Sequence, residues 1–278
     1  SRADLWRYDP SFYRGTGLVT SIYERFRDLL RSEVPVALAT LIEGPDIGAK
    51  LLVEESGSTL GGLGSEQLDR VVRRDAIAML DAGTSEVRHY GPKGEARQHD
   101  VSVFIECHAR RPHMVIFGAV DFTRSLASQG KLLGFRVTVC DAREVFATRR
   151  RFPMADEVVV DWPDRLLKRI GSDLGPRDAV CVLTHDAKFD VPAIIGALPT
   201  RVGYLGAMGS RQTHEKRIKR LIEEGVTIEE LERVRSPIGL DIGGRTPEET
   251  AVSIVAEIIA MRTGRNAPSL SEGQGSIH

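Results

Sequence analysis

Three titratable side chains lie close together after a predicted buried strand. His185, Asp186 and Asp190 follow the apolar run Ala179–Leu183. A histidine beside carboxylates can act as a general acid or base, or can bind a cation. We therefore take these three residues as catalytic candidates. Two other interpretations stay open, a divalent-metal site and a plain helix cap at Thr184 or Asp186.

The turn after another apolar run contains one glycine of a dinucleotide-binding fingerprint. The pattern G-x-G-x-x-G begins at Gly118, but Val120 and Thr123 stand where its other glycines belong. Val120 puts a branched side chain where a pyrophosphate would approach the backbone, so ordinary NAD(P) binding is not expected. Asp141 lies about 20 positions further on, near the place of a ribose-binding acid, and a nucleotide or pterin could still be held there. The candidate cofactor-binding residues of this region are Gly118, Ala119, Asp121, Asp141 and Arg143.

Two later loops contain the residue types of an anion-binding site. Gly209-Ser210-Arg211 opens a predicted helix, whose free amides and dipole favour an anion. The segment 237–249 is glycine-rich and precedes a helix with a capping box at Thr246 and Glu249. We expect both loops to line the same cleft as His185. Their candidate binding residues are Gly209, Ser210, Arg211, Asp241, Gly243 and Arg245.

Beyond residue 112, short apolar runs alternate with helical segments. Predicted strands are Met114–Phe117, Arg136–Cys140, Val158–Val160, Ala179–Leu183 and Val202–Leu205, and predicted helices are 122–133, 164–170, 191–197, 212–224 and 247–262. This alternation predicts an α/β domain with a Rossmann-like parallel sheet. Ligands of such sheets bind outside the carboxyl ends of the strands, where the candidate residues lie.

A smaller α+β domain is predicted ahead of this sheet. Its strands are expected at 36–42, 49–54, 85–90 and 100–106, and its helices at 18–31 and 65–81, with a glycine-rich segment at 61–64. The predicted organisation is an N-terminal arm and helix at 1–34, the α+β module at 35–107, the Rossmann-like domain at 108–265 and a disordered tail at 266–278.

Composition and charge argue against several classes of protein. The chain of 278 residues has 38 Lys and Arg against 39 Asp and Glu, a net charge of −1, which argues against nucleic-acid binding. No apolar run approaches the ~18–20 residues of a membrane helix. The three cysteines, Cys107, Cys140 and Cys181, are widely spaced and suit a reducing compartment. A cytoplasmic protein without membrane contact is therefore expected.

The chain resembles the XdhC/CoxI family of accessory proteins for molybdenum hydroxylases. The resemblance covers most of residues 113–263 and is most specific in its last motif. The matching stretches are Val115–Gly118, Leu133–Asp141, Phe152–Val160, Leu183–Asp186, Gly209–Arg211 and Pro237–Glu249. The smaller domain resembles the other module of the family.

This resemblance implies a protein that binds molybdenum cofactor, protects it during sulfuration and delivers it to an apo-hydroxylase such as xanthine dehydrogenase or carbon monoxide dehydrogenase. The implied partners are that hydroxylase and a sulfurating protein, and a homodimer is possible. The small module of the family commonly has a cysteine after its paired glycines, whereas Leu63 follows Gly61-Gly62 here. If that thiol helps to hold molybdenum, this module cannot do so.

Two enzyme hypotheses compete with a non-catalytic carrier. The first is a nucleotide-dependent, NAD(P)-type oxidoreductase, which rests on the fold alone. The second is a divalent-metal site at His185, Asp186 and Asp190. This site ranks last because such residues at strand ends often serve as caps, and no resident metal is expected.

Overall fold

The computed structural model describes residues 21–91, 94–95 and 100–272. The chain divides into two compact units between Arg110 and Arg111. The predicted N-terminal arm lies outside the described residues, and so does the predicted tail beyond Glu272. Within the described part of the chain, no helix is long and apolar enough to cross a membrane.

The first unit is an antiparallel sheet with one helix on each face. Its strands are β1 (Val36–Glu43), β2 (Lys50–Glu54), β3 (Thr59–Gly62), β4 (Glu86–Tyr90) and β5 (Val101–His108), and its helices are α1 (Ile22–Arg31) and α2 (Glu66–Ala82). The strand order is β3-β2-β1-β5-β4. Alternate residues of β1 point to opposite faces, so Ala37, Ala39 and Leu41 pack under α2 while Val36 packs under α1.

Both helices of this unit have side-chain caps that the sequence favours. Ser21 and Glu24 form a capping box at the start of α1. The Ser65 hydroxyl caps α2, and Gly83 ends it in the left-handed conformation, φ 67°. The glycine-rich segment expected between strand and helix differs from the prediction, because its first part is the edge strand β3, which pairs with β2.

The second unit is a six-stranded parallel sheet covered by helices on both faces. Its strands are β6 (His113–Phe117), β7 (Arg136–Cys140), β8 (Glu157–Val159), β9 (Ala179–Val182), β10 (Tyr204–Ala207) and β11 (Val234–Arg235). Its helices are α3 (Asp121–Leu132), α4 (Pro163–Ile170), α5 (Ala187–Ala197), α6 (Arg211–Glu223), α7 (Ile228–Leu231) and α8 (Pro247–Thr263).

The strand order β11-β10-β9-β6-β7-β8 confirms the predicted Rossmann-like sheet. One face packs against α3 and α8 through residues such as Leu126 and Ile254. The other packs against α4, α5 and α6 through Leu166, Ile194 and Leu221. Strand β6 lies between β7 and β9, so the direction in which the chain adds strands to the sheet reverses at β6. A crevice for ligands is therefore expected at the carboxyl ends of β6 and β9.

Some elements differ from their predicted limits for local reasons. Helix α5 begins at Ala187, four residues before the predicted start, and contains Pro192 in its interior. Because proline favours the first turn of a helix, the sequence pattern placed the start too late. The short strand β11 and helix α7 were not predicted, since two to four residues carry too little periodicity.

Candidate functional site

Four neighbouring strands of the parallel sheet end level with one another. The amide of Gly118 donates to the carbonyl of Cys140, that of Leu183 to Phe117 and that of Met208 to Val182, each at 2.8 Å. The residues after β6, β7, β9 and β10 therefore share one edge of the sheet. This edge holds the candidates that the sequence placed after those strands.

Asp141 is the most completely bonded of the candidate residues. Its Oδ2 accepts from the Ala119 amide and from Nη2 of Arg143, each at 2.8 Å, and its Oδ1 accepts from the amide and Nε of Arg143, each at 2.9 Å. Burial raises the pKa of this carboxyl, but the bonds from Arg143 and Ala119 outweigh burial, so its pKa lies below its usual value. Four donors fill the four acceptor positions of a carboxylate, which leaves none for a ribose hydroxyl.

The turn after β6 is packed directly against the end of β9. Gly118 has φ 107°, and a Cβ at this position would lie 2.8 Å from Cγ2 of Thr184. The hydroxyl of Thr123, at the third fingerprint position, donates to the Gly118 carbonyl at 2.5 Å and accepts from the Val120 amide at 3.3 Å. A threonine thus closes this turn where a dinucleotide-binding protein has a third glycine.

Two arginines of the β7–β8 loop lie over the ring of Phe146. The guanidinium carbon of Arg143 is 4.6 Å from the ring centroid and that of Arg151 is 5.5 Å from it. Arg151 also donates through Nη1 to the carbonyls of Ala119 and Phe146, at 2.9 and 3.2 Å. Arg143 was a predicted binding residue; Phe146 and Arg151 were not, because their roles depend on contacts between loops.

An aromatic pair also lies near Arg143. The guanidinium of Arg143 is 5.7 Å from the ring of Phe189, which stacks on Trp162 at 5.0 Å between centroids. Neither aromatic residue was a predicted binding residue. Their only signal is the position of each near the end of a parallel strand.

The three catalytic candidates after β9 have different surroundings. Asp190 is buried and accepts from Nη2 of Arg217 at 2.8 Å and from the hydroxyl of Thr184. Burial raises the pKa of Asp190, and the bonds from Thr184 and Arg217 oppose that rise. Asp186 caps α5 by accepting from the amide of Lys188 at 3.0 Å, and His185 is exposed.

This arrangement gives each acid after β9 a structural partner. Among the residues that the structure describes, no group of three or more His, Cys, Asp and Glu side chains could hold a metal ion. The metal and acid–base interpretations of His185, Asp186 and Asp190 therefore gain no support from the geometry.

The start of α6 is capped by one of its candidate residues. The Ser210 hydroxyl accepts from the Thr213 amide at 3.2 Å. Gly209 has φ 145°, and a Cβ there would lie 3.0 Å from Cγ2 of Thr213. Arg211, the first residue of the helix, is exposed. The helix start thus presents a cation and free amides at the same sheet edge.

The glycine-rich loop before α8 is attached to the end of β10. The amide of Ile238 donates to the carbonyl of Ala207 at 3.1 Å, and that of Gly239 donates to Glu257 at 2.9 Å. A Cβ on Gly239 would overlap the hydroxyl of Ser253, which explains this glycine by close packing. The exposed candidates of this loop are Asp241, Gly243 and Arg245.

Burial disfavours the thiolate form of all three cysteines. Burial raises the pKa of Cys107 to about 11 and that of Cys140 to about 12, and it raises the pKa of Cys181 further. Cys140 donates to the carbonyl of Asp161 at 3.3 Å. Leu63, which follows the paired glycines Gly61-Gly62, is buried in the core of the first unit.

Both units match family models. The XdhC Rossmann domain matches residues 114–258, and the XdhC and CoxI family model matches residues 29–91. The uncharacterized protein YqeB of Escherichia coli K12 is 26% identical over 260 residues, covering 89% of this chain and 47% of that protein. A protein of Bacillus subtilis 168, described as a probable subunit of xanthine dehydrogenase, is 30% identical over 240 residues, covering 86% of this chain and 64% of that protein.

Two further similarities are more limited. The molybdenum cofactor insertion chaperone PaoD of Escherichia coli K12 is 36% identical over 84 residues, 30% of this chain and 26% of that protein. The crystal structure of a xanthine dehydrogenase from Bacillus halodurans has a TM-score of 0.52 and 22% identity, covering 88% of this chain and 97% of its own. That likeness shows the fold alone. The chain spans about half the length of the first curated relative and just under two thirds of the second.

Proposed function

Because the chain belongs to the XdhC/CoxI family, we propose that it is an accessory protein that binds molybdenum cofactor and delivers it to a molybdenum hydroxylase. Two relatives support this proposal by name, a molybdenum cofactor insertion chaperone and a probable component of xanthine dehydrogenase. Xanthine dehydrogenase is accordingly the hydroxylase that we propose first. The cofactor is cargo in this function, and the chain needs no turnover chemistry of its own.

The observation that carries the proposal is the concentration of hydrogen-bond donors at one edge of the parallel sheet. Arg143, Arg151 and Arg211 follow β7 and β10 there, and the start of α6 adds free amides. Charged donors and helix N-termini bind phosphate groups well. The pterin of the cofactor carries a phosphate, so this edge suits the organic, anionic part of the cargo.

The described residues do not suit the metal end of the cargo. A protein sulfur holds molybdenum as a thiolate, and burial raises the pKa of Cys107, Cys140 and Cys181, which disfavours that form. Cys140 and Cys181 are also buried away from the surface. Leu63 has no ligating atom. We therefore propose that this chain binds the pterin and the phosphate of the cofactor and leaves the molybdenum accessible to a sulfurating protein.

The first experiment asks whether the full chain retains the cofactor. The tagged chain is purified from a molybdenum-replete host that contains the hydroxylase, and the released pterin is identified by mass spectrometry. We expect bound pterin and co-purified hydroxylase. Arg211→Gln should lower retention several-fold because it removes a charged donor at the helix start. Lys219→Gln, an exposed change further along α6, is the matched control.

Absence of both pterin and hydroxylase from the purified chain would refute the carrier function. Retention that falls equally in Arg211→Gln and Lys219→Gln would refute a specific role for the start of α6.

An NAD(P)-dependent oxidoreductase is the alternative, and the strand order of the parallel sheet is the observation in its favour. Two residues oppose it. Val120 occupies the second glycine position, which opposes both coenzymes, and Asp141 has no acceptor left for a ribose hydroxyl, which opposes NAD. Titration of the chain with NADH, which carries no phosphomonoester, followed by coenzyme fluorescence, discriminates the two functions: micromolar binding favours the oxidoreductase and no binding favours the carrier.

A further inference from the structure

The loop between β7 and β8 brings two cations to one aromatic ring. Arg143 and Arg151 both contact Phe146, at 4.6 and 5.5 Å from its centroid. The electron-rich face of a ring attracts guanidinium groups, and the two centroid distances place the guanidinium carbons within about 10 Å of each other. Such a pair favours an anion that both members can reach.

Arg143 has donor capacity that the protein does not use. Its Nε and Nη2 donate to Asp141, while Nη1 has no partner within the described part of the chain. The side chain is 44% exposed, although the carboxylate that orients it is only 3% exposed. The buried acid thus fixes a guanidinium that belongs to a partly exposed side chain and whose Nη1 keeps its donor capacity.

Arg151 is anchored in a different way and also keeps unused charge. Its Nη1 donates to two backbone carbonyls, those of Ala119 and Phe146. The nearest carboxylate, Asp121, lies 3.9 Å from Nη2 and is 93% exposed. An exposed ion pair at this distance contributes little, so the charge of Arg151 is poorly compensated.

The position of this pair in the sheet identifies the kind of anion. In dinucleotide-binding sheets an acid after the second strand binds the ribose hydroxyls, and an arginine nearby accommodates a phosphate on that ribose. Here the acid, Asp141, is saturated by its own protein, and the more exposed group is the arginine. This end of β7 therefore suits a phosphate and not a sugar diol.

We propose that Arg143 and Arg151, on Phe146, form a phosphate-binding site for a phosphomonoester on a planar heterocycle. This inference rests on the proposed carrier function, in which that phosphate belongs to the pterin cargo. The stacked rings of Phe189 and Trp162, beside Arg143, are the neighbouring surface for the heterocycle.

The test compares a nucleotide with its nucleoside on the full chain. Trp6→Phe leaves Trp162 as the single tryptophan, so its emission reports binding next to Arg143. Guanosine 5′-monophosphate and guanosine are the probes, because they share a ring resembling a pterin and differ in the phosphate. We expect the nucleotide to bind at least roughly tenfold more tightly, the effect of one or two charge-assisted bonds.

Variants assign the preference to the two arginines. Arg151→Gln and Arg143→Lys should each reduce the preference for the nucleotide several-fold and leave the affinity for guanosine unchanged. Arg150→Gln is the matched control, because it removes an equal charge from the same loop. If Arg143→Lys lowers the melting temperature, Arg151→Gln alone decides the test. The side chain of Arg151 donates hydrogen bonds only to backbone carbonyls.

Equal affinity for nucleotide and nucleoside would overturn the inference, as would equal losses in Arg150→Gln and Arg151→Gln. The outcome is separable from that of the cofactor experiment. A chain that retains pterin but shows no phosphate preference would keep the carrier function and lose this site. A chain that prefers the nucleotide but retains neither pterin nor hydroxylase would keep the phosphate-binding site and lose the carrier function.

Discussion

At the scale of single residues, Asp141 connects three parts of the sheet edge. It follows β7, binds the amide of Ala119 in the turn after β6 and orients Arg143 in the β7–β8 loop. The same carboxylate is 3% exposed. A buried charge of this kind stabilises the protein only while its hydrogen bonds are complete.

Asp141→Asn is expected to destabilise the chain by about 1–3 kcal/mol near neutral pH, because an amide cannot accept all four bonds. Since the folded pKa of Asp141 is lowered, its stabilisation is complete above the ordinary value of about 3.9 and disappears as the pH falls through the folded pKa. The difference in the free energy of unfolding between wild type and Asp141→Asn should therefore become smaller at acid pH. Urea unfolding at several pH values measures it.

Asp121→Asn is the control for this change, since its side chain is 93% exposed at the same sheet edge. If the loss of unfolding free energy in Asp141→Asn stays constant down to pH 3, the lowered pKa of Asp141 is contradicted.

Spacing alone found Asp141, but it could not reveal what Asp141 binds. An acid about 20 residues after a first glycine predicts a ribose ligand in a dinucleotide fold. In the structure Asp141 instead accepts hydrogen bonds from the side chain of Arg143. Hydrophobic periodicity does not predict a contact of this kind. Phe146 and Arg151 escaped prediction for the same reason, because each acts through the backbone or ring of a loop that only the fold brings near.

At the scale of elements, a buried ion pair joins α5 to α6. Asp190 and Arg217 are both less than a twentieth exposed and lie 2.8 Å apart. Arg217 also donates to the Met208 carbonyl at 2.7 Å and to the Ser236 hydroxyl at 3.1 Å. This pair therefore fixes the loops after β9, β10 and β11 relative to one another.

Arg217→Met should cost about 3–5 kcal/mol of unfolding free energy, because it leaves the buried carboxylate of Asp190 unpaired. The double variant Asp190→Leu with Arg217→Met should cost less than the two single changes together. Denaturant unfolding of the four proteins gives the coupling energy. Strictly additive losses would show that the two side chains do not depend on each other.

Gly118 sets the close approach of two strand ends. Gly118→Ala should destabilise the chain by about 1–3 kcal/mol, because its left-handed backbone strains any other residue and its Cβ would meet Thr184. Thr184→Ser removes the nearer methyl group and should restore only part of the loss, since the Thr184 amide would still lie 3.1 Å from the Cβ. Full restoration would mean that backbone strain contributes nothing.

Long periodic elements of this fold could be predicted, whereas short ones could not. The buried strands β6, β7 and β9 were predicted within a residue of their limits, because continuous apolar runs mark strands covered on both faces. The edge strands β3 and β11 were missed, since glycine or brevity removes that signal. The predicted start of α5 was four residues late, because Pro192 lies inside the helix and proline is more typical of a first turn.

At the scale of the whole molecule, each unit has its own core. The antiparallel sheet packs Leu41, Leu68 and Val103 together with their neighbours, and the parallel sheet packs separate clusters on its two faces. A unit with a complete core can fold alone.

The fragment 111–278 is therefore expected to fold without the first unit. Its thermal unfolding should be cooperative, and its amide spectrum should be dispersed. It should also keep the Trp162 response to guanosine 5′-monophosphate, because Arg143, Phe146 and Arg151 all lie within it. A molten fragment would show that the parallel sheet depends on residues before Arg111.

The two edge strands of the parallel sheet are short and contain charged residues. The outer strands β8 and β11 have three and two residues and include Glu157 and Arg235. Such margins discourage the addition of a foreign strand. The hydroxylase that we propose as a partner is therefore expected to contact loops and helix surfaces if it docks on this unit, and a designed β-strand peptide should compete poorly for that contact.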